Sequence, residues 1–268
     1  FPKFFHPDPT VERQSGFLKP QINNSNELGD SLHIPYFHVI SDNKDLTFKP
    51  TFFANSIKMF QNEFRQKNKN SFFIADFSLV EGYKSTLSKT KNSISHLFAK
   101  FESDLQMENF NTSDLYVSIQ KTSNDTYLKV FDSNLYETNL KPSDQNNLLS
   151  EIKLTLNHKT NYNLTAGMKS FENLTKISSD RYQYILPYYN YDRYIDTENI
   201  DGSLKFTSSG SNDLQNTNNL KTKVINDLEY QSNEFINNLG FVSNFKKNFK
   251  NSNTLGKNDD DYKSSPQI

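Results

Sequence analysis

Cysteine and tryptophan are absent from the 268 residues, and glycine is scarce at 8. Without cysteine there is no thiol nucleophile, no Cys-ligated metal and no disulfide within this segment. No apolar run approaches the roughly 18 residues that a transmembrane helix requires. A strong charge of either sign is also missing: the formal net charge is -1, which leaves no basic footprint for a nucleic acid. The chain lacks a G-x-S-x-G elbow and a glycine-rich phosphate loop. Its histidines, His6, His33, His38, His96 and His158, show no metal-ligand spacing. We therefore expect no enzyme, no metal and no cofactor. The start at Phe1 rather than methionine reads as an excerpt or a processed product, in which a signal peptide could not be seen.

What is there is aromatic and polar at once. Phenylalanine and tyrosine number 23 and 14, yet the mean hydropathy is -0.78. Two faces of opposite character, alternating residue by residue, reconcile these values. "DLTFKPTF" sets Leu46, Phe48, Pro50 and Phe52 against Asp45, Thr47, Lys49 and Thr51. "DLYVSIQK" sets Leu115, Val117 and Ile119 against Tyr116, Ser118 and Gln120. "EIKLTLNH" and "NYNLTAGMK" repeat the pattern, and "GSLKFTSS" and "NNLKTKVINDLEY" follow it more weakly. Period two predicts strands with one apolar and one polar face. Polar stretches at 23–30, 66–71, 122–125, 139–147, 208–219 and 251–261 read as loops.

Counting runs predicts about ten to twelve strands, most near ten residues, the length a tilted strand needs to cross a bilayer. Sandwich strands average about five to six residues. The expected fold is thus all-β: an antiparallel transmembrane β-barrel, present only in part, with its apolar face toward lipid and its polar face toward a wet lumen. "RYQYILPYYNYDRY" (181–194) reads as an aromatic girdle or a sugar-stacking surface, with Pro187 marking a bulge or a strand end.

The first fifty residues carry more specific marks. "HPDPTVERQSGFLKP" runs from His6 to Pro20, and "IPYFHVISDNKDLTFKP" spans 34–50. Within them stand Arg13, Ser15, Gly16, Phe17, Leu18 and Pro20; Pro35 and Tyr36; and Asn43, Asp45 and Thr47. "NEFRQ" adds Glu63 and Arg65. "SHLFAKF" (95–101) and 239–258 fit more loosely. These residues resemble the LptD family of LPS-assembly outer-membrane proteins, also called organic solvent tolerance (OstA) proteins, with a hinge like that of the alphaproteobacterial form.

The resemblance implies a periplasmic jellyroll ahead of a large outer-membrane barrel. Residues 1–12 would then be the end of the periplasmic domain and a proline-rich hinge built on Pro7 and Pro9, and 13–268 the N-terminal part of the barrel. It implies lipopolysaccharide as the cargo, inserted into the outer leaflet through a polar lumen and a lateral gate. An LptE-type lipoprotein plug and an LptA-type periplasmic bridge would be the partners, with no nucleic acid. The family's disulfide cysteines are not in this segment. Proline cannot donate to a ladder, so Pro20 and Pro35 are the expected gate residues; placement at strand ends, where proline is tolerated, is the plainer alternative. Arg13 could meet an LPS phosphate or sit in a salt bridge. A passive outer-membrane channel or a TonB-type receptor would share the alternation but not the opening motif.

Overall fold

The computed structural model describes residues 13–83, 94–135, 138–160, 162–195, 201–256 and 259–267, without the side chains of 178–179 and 259–262. Its strands, in chain order, are β1 (Gly16–Phe17), β2 (Gln21–Ser25), β3 (Gly29–His33), β4 (Tyr36–Ser41), β5 (Lys44–Phe53) and β6 (Lys58–Lys67). Next come β7 (Ser71–Glu81), β8 (Ile94–Asp104), β9 (Phe110–Thr122), β10 (Asn147–His158), β11 (Tyr162–Asn173) and β12 (Tyr182–Ile195). The last are β13 (Gly202–Gln215), β14 (Asn219–Ser232), β15 (Phe235–Ile236), β16 (Val242–Ser243), β17 (Lys246–Gly256) and β18 (Asp259–Gln267). One short α-helix, α1 (Tyr127–Phe131), occurs among the described residues. No helix among them is long and apolar enough to cross a membrane.

The main sheet runs β1-β4-β5 and then in chain order to β14, β17 and β18, with the β2–β3 hairpin attached beside β5. Each pairing is antiparallel. No pairing joins β1 to β18 among the described residues. The all-β antiparallel expectation holds, and the strands of ten residues or more are β5 to β14 and β17.

Two stretches read as loops are instead largely strand. Residues 208–215 belong to β13 and 251–256 to β17. Their Ser, Asn and Gly content signals turns, but unbroken ladders to β14 override it: Ser208 opposes Asn226 and Asn251 opposes Asn226 from the other side. Likewise 23–30 is a hairpin, Asn24 opposing Asp30, rather than a loop.

The chain divides into two compact units, Phe1–Ala99 with Lys121–Lys141, and Lys100–Gln120 with Pro142–Ile268. In the first, burial is inverted at many positions relative to a water-soluble sheet, although Phe53, Met59, Ile74, Val80, Ile94 and Phe98 are buried on the same strands. Along β5, Asp45, Thr47, Lys49 and Thr51 are buried, while Phe48 and Phe52 are exposed. In β7, Asp76 and Ser78 are buried while Phe77 and Leu79 face out. β8 repeats this with His96 buried and Leu97 exposed. The polar face is covered by the segment after β9: Tyr127, Leu128 and Phe131 of α1 are fully buried, and Phe131 meets Phe53 and Tyr83 edge-on.

The second unit keeps the alternation. Ile152 and Met168 pair across β10–β11 and are half-exposed, while Glu151 and Lys169 pair on the opposite face, 3.4 Å apart. The ring of Tyr188 lies across Gly167, and its hydroxyl donates to Glu151 at 2.8 Å. A Cβ at Gly167 would stand 2.3 Å from the Ile152 carbonyl, so this close approach requires glycine. The register of β12 shifts on both sides around Leu186–Pro187, the bulge that Pro187 predicted. Polar rows interrupt the apolar face: Ser208 contacts Tyr189 and donates to Asn226, and Thr222 donates to Asn212 at 2.8 Å.

Candidate functional site

Two ribbons at the start of the chain are each broken at a proline. β1 and β2 are halves of one ribbon, separated by Leu18–Pro20; β3 and β4 are halves of the next, separated by Ile34–Pro35. Gly16 opposes Phe37 and Gln21 opposes His33. The first ribbon therefore advances five residues while the second retreats four, and the extra residue is absorbed beside Pro20.

The second ribbon stays aligned because both halves share one register with β5: Ser31 opposes Phe53, and Tyr36 opposes Phe48. Rungs are missing on both of its sides at one height. Leu18 N–H donates to Pro35 O at 2.8 Å, but Pro35 has no N–H to return the bond. Ile34 N–H donates to Pro50 O at 3.1 Å, and Pro50 likewise returns nothing. The expected gate prolines thus lie between strands, Pro20 exposed and Pro35 buried. Pro50, a member of the apolar face in the sequence pattern, sits mid-strand in β5 and removes the second rung. Pro7 and Pro9, the expected hinge, lie outside the described residues.

Beside this broken edge, the polar face of β5 and β6 carries a chain of alternating charge. Arg13 binds the Asp45 carboxylate and donates to Asp42 O at 3.3 Å. Arg65 reaches the other Asp45 oxygen at 2.8 Å and stands 3.6 Å from Glu63. Glu63 in turn pairs with Lys49 at 2.9 Å, both nearly inaccessible. The sequence motif contained Arg13, Asp45, Glu63 and Arg65, but nothing in it said that they touch. A salt bridge, one of Arg13's two expected fates, is present. Arg13 and Arg65 are nevertheless about two-fifths exposed, and border a cleft of about 460 Å³ that Asn43, Lys67 and Phe72 also line.

Farther along the same face lies a buried polar cluster with no counterpart in the sequence reading. Asp76 accepts from Gln61 at 2.8 Å and contacts His96 at 3.2 Å. The other His96 nitrogen meets the Tyr127 hydroxyl at 2.7 Å, and Ser78 completes the group. Burial pushes the Tyr127 phenol far above its usual range, Asp76's charge adds to this, and the hydrogen bond from Ser78 opposes it. The phenol therefore stays protonated and ties α1 to β7 and β8. Removing it with Tyr127→Phe should loosen the 123–135 segment by about 1–3 kcal/mol. Limited proteolysis checks this: cleavage there should accelerate, and an unchanged rate would contradict the assigned role.

The cluster does not make a metal centre; no group of three His, Asp or Glu residues able to hold a metal occurs among the described residues. What the site offers is a charged, largely buried face, open at Arg13 and Arg65, next to ribbons with missing rungs.

No protein-family model matches the chain. Curated relatives do match in part. LPS-assembly protein LptD of Ectopseudomonas mendocina (strain ymp) is 39% identical over 59 residues, 22% of this chain and 6% of that protein. LptD of Aromatoleum aromaticum is 38% identical over 55 residues, 20% of this chain and 7% of the relative. LptD of Pseudomonas entomophila (strain L48) is 37% identical over 59 residues, again 22% and 6%. The matched stretch thus spans well under a tenth of each relative's length. Over about a fifth of its own length, this chain is similar to LPS-assembly protein LptD, the family its opening motifs resemble.

Proposed function

We propose that the chain is the N-terminal part of the barrel of an outer-membrane LPS-assembly protein. In this reading the apolar face of the sheet meets lipid and the polar face lines a lumen. Lipopolysaccharide is amphipathic, so its sugars travel along the wet face while its acyl chains leave sideways through a separable join. The join is the seam between the first and last strands of the closed barrel, which Pro20 and Pro35 in the first two ribbons would keep openable. Residues 1–12, with Pro7 and Pro9, would be the hinge to a periplasmic domain that receives cargo from an LptA-type bridge. An LptE-type lipoprotein would occupy the lumen. The role is transport and insertion rather than catalysis.

The observation that carries the reading is the inverted burial of the sheet, with Asp45, Lys49, Asp76 and His96 buried while Phe48, Phe52, Phe77 and Leu97 are exposed. Such a sheet is unstable in water and suited to a bilayer enclosing water. The partial similarity to LptD selects the cargo. Depleting the full-length protein from cells should stop newly made LPS from reaching the surface while its synthesis continues. A passive channel or a TonB-type receptor would instead change solute uptake and leave surface LPS intact, which would overturn the proposal.

A further inference from the structure

Between β14 and β17 the chain leaves the sheet and forms the separate ribbon β15–β16. This connector is more apolar at its surface than any other turn among the described residues. Leu239, Ile236 and Phe241 are 81%, 70% and 68% exposed, and Val242 is 57% exposed. A hairpin of two residues per strand has no concave side on which to bury them. Its polar backbone groups, by contrast, are largely satisfied. Phe235 pairs with Ser243 and Ile236 with Val242. At the tip, the Asn237 side-chain oxygen accepts from the N–H groups of both Leu239 and Phe241, and Asn237 N–H donates to Phe241 O. At the root, Ser232 N–H donates to Phe245 O at 2.9 Å. A protrusion with apolar side chains outside and few amides unpaired can leave water at little cost.

The root identifies the medium. Phe235 stacks on Phe245 with ring planes 2° apart, and Phe245 packs against Tyr230 at 5.7 Å. Tyr230 alternates with Leu228, which opposes Phe249 on the apolar face of β14–β17. The hairpin thus continues the apolar face, not the polar one. Lys246 and Lys247 follow directly; Lys247 lies over the Phe245 ring at 5.8 Å, and Lys246 pairs with Glu229. Aromatic rings with adjacent lysines suit the boundary between phospholipid headgroups and acyl chains. By strand alternation within the second unit the hairpin lies at the end that carries the short connection between β10 and β11, and short turns mark the periplasmic end of such barrels.

We propose that residues 233–245 form an interfacial anchor, inserted into the phospholipid of the periplasmic leaflet beside the sheet. This rests on the membrane reading above, and the test separates the two. Leu239→Cys, Ile152→Cys and Lys69→Cys are made singly in a cysteine-free background of the full-length protein. Each is labelled with an environment-sensitive fluorophore and reconstituted into phosphatidylethanolamine–phosphatidylglycerol vesicles containing spin-labelled lipid. The probe at Leu239 should shift to the blue and lose fluorescence to the spin label about as strongly as that at Ile152, while Lys69 reports water. A water-like probe at Leu239 with a quenched one at Ile152 overturns the anchor and leaves the membrane-spanning sheet standing. A blue-shifted but unquenched Leu239 also overturns it, since protein rather than lipid would then cover the tip. An unquenched Ile152 removes the membrane reading itself.

Discussion

Pro20→Thr, Pro35→Thr and Pro50→Thr together are expected to cut LPS delivery to the cell surface about ten- to a hundredfold. Threonine supplies the N–H groups that the ladders around the second ribbon lack, at Leu18/Pro35 and at Ile34/Pro50. Each restored rung is worth about 1 kcal/mol in a wet setting, and more where lipid leaves no alternative partner. One rung lies on each side of the second ribbon, so together they add at least about 2 kcal/mol to the work of loosening the first ribbons from the sheet beside the seam, and each 1.4 kcal/mol is a factor of ten. Pro50→Thr alone closes only the rung on the β5 side and should do less than Pro35→Thr, which acts on the pairing between the first two ribbons. Surface LPS and resistance to large antibiotics are the measurements. If the triple variant leaves both unchanged, Pro20 and Pro35 are ordinary strand-end residues and the gate reading fails.

Glu63→Ala is expected to destabilise the first unit by about 3–5 kcal/mol, because it strips the carboxylate from a nearly inaccessible Lys49 and from Arg65. The paired variant Lys49→Met with Glu63→Leu should recover most of that loss, since removing both charges leaves none to desolvate. Unfolding of the reconstituted protein in urea gives the comparison. Equal losses in the single and paired variants would mean that water reaches the pair freely and that its burial is not what makes it matter.

Strand pattern was the most legible layer, for a physical reason. In "DLTFKPTF" side chains alternate strictly, and a strand has no other way to separate four polar from four apolar residues. The turn signals were less reliable. Ser208, Gly210 and Asn251 are poor strand formers alone, yet sit mid-strand because β14 offers each of them an unbroken ladder. The breaks at Pro20 and Pro35 could be read from the lack of an N–H, but Pro50 could not be singled out, since its effect depends on which residue of β4's ribbon faces it. Contacts at long sequence distance left no trace. Nothing near "TSND" indicates that Tyr127 will reach Ser78 and His96, and nothing in Glu63-x-Arg65 names Lys49 as the third member. The proline pattern had a family resemblance behind it; the buried cluster had neither motif nor spacing.

β5 acts as a splint across a fracture. It holds Ser31–His33 and Tyr36–Val39 in a single alignment although Ile34 and Pro35 interrupt the strand between them. In the proposed gate, either piece would lift from its neighbour while the other stays clamped. An aperture of half the strand's height would then form without unzipping the whole, which suits a cargo whose oily half is short.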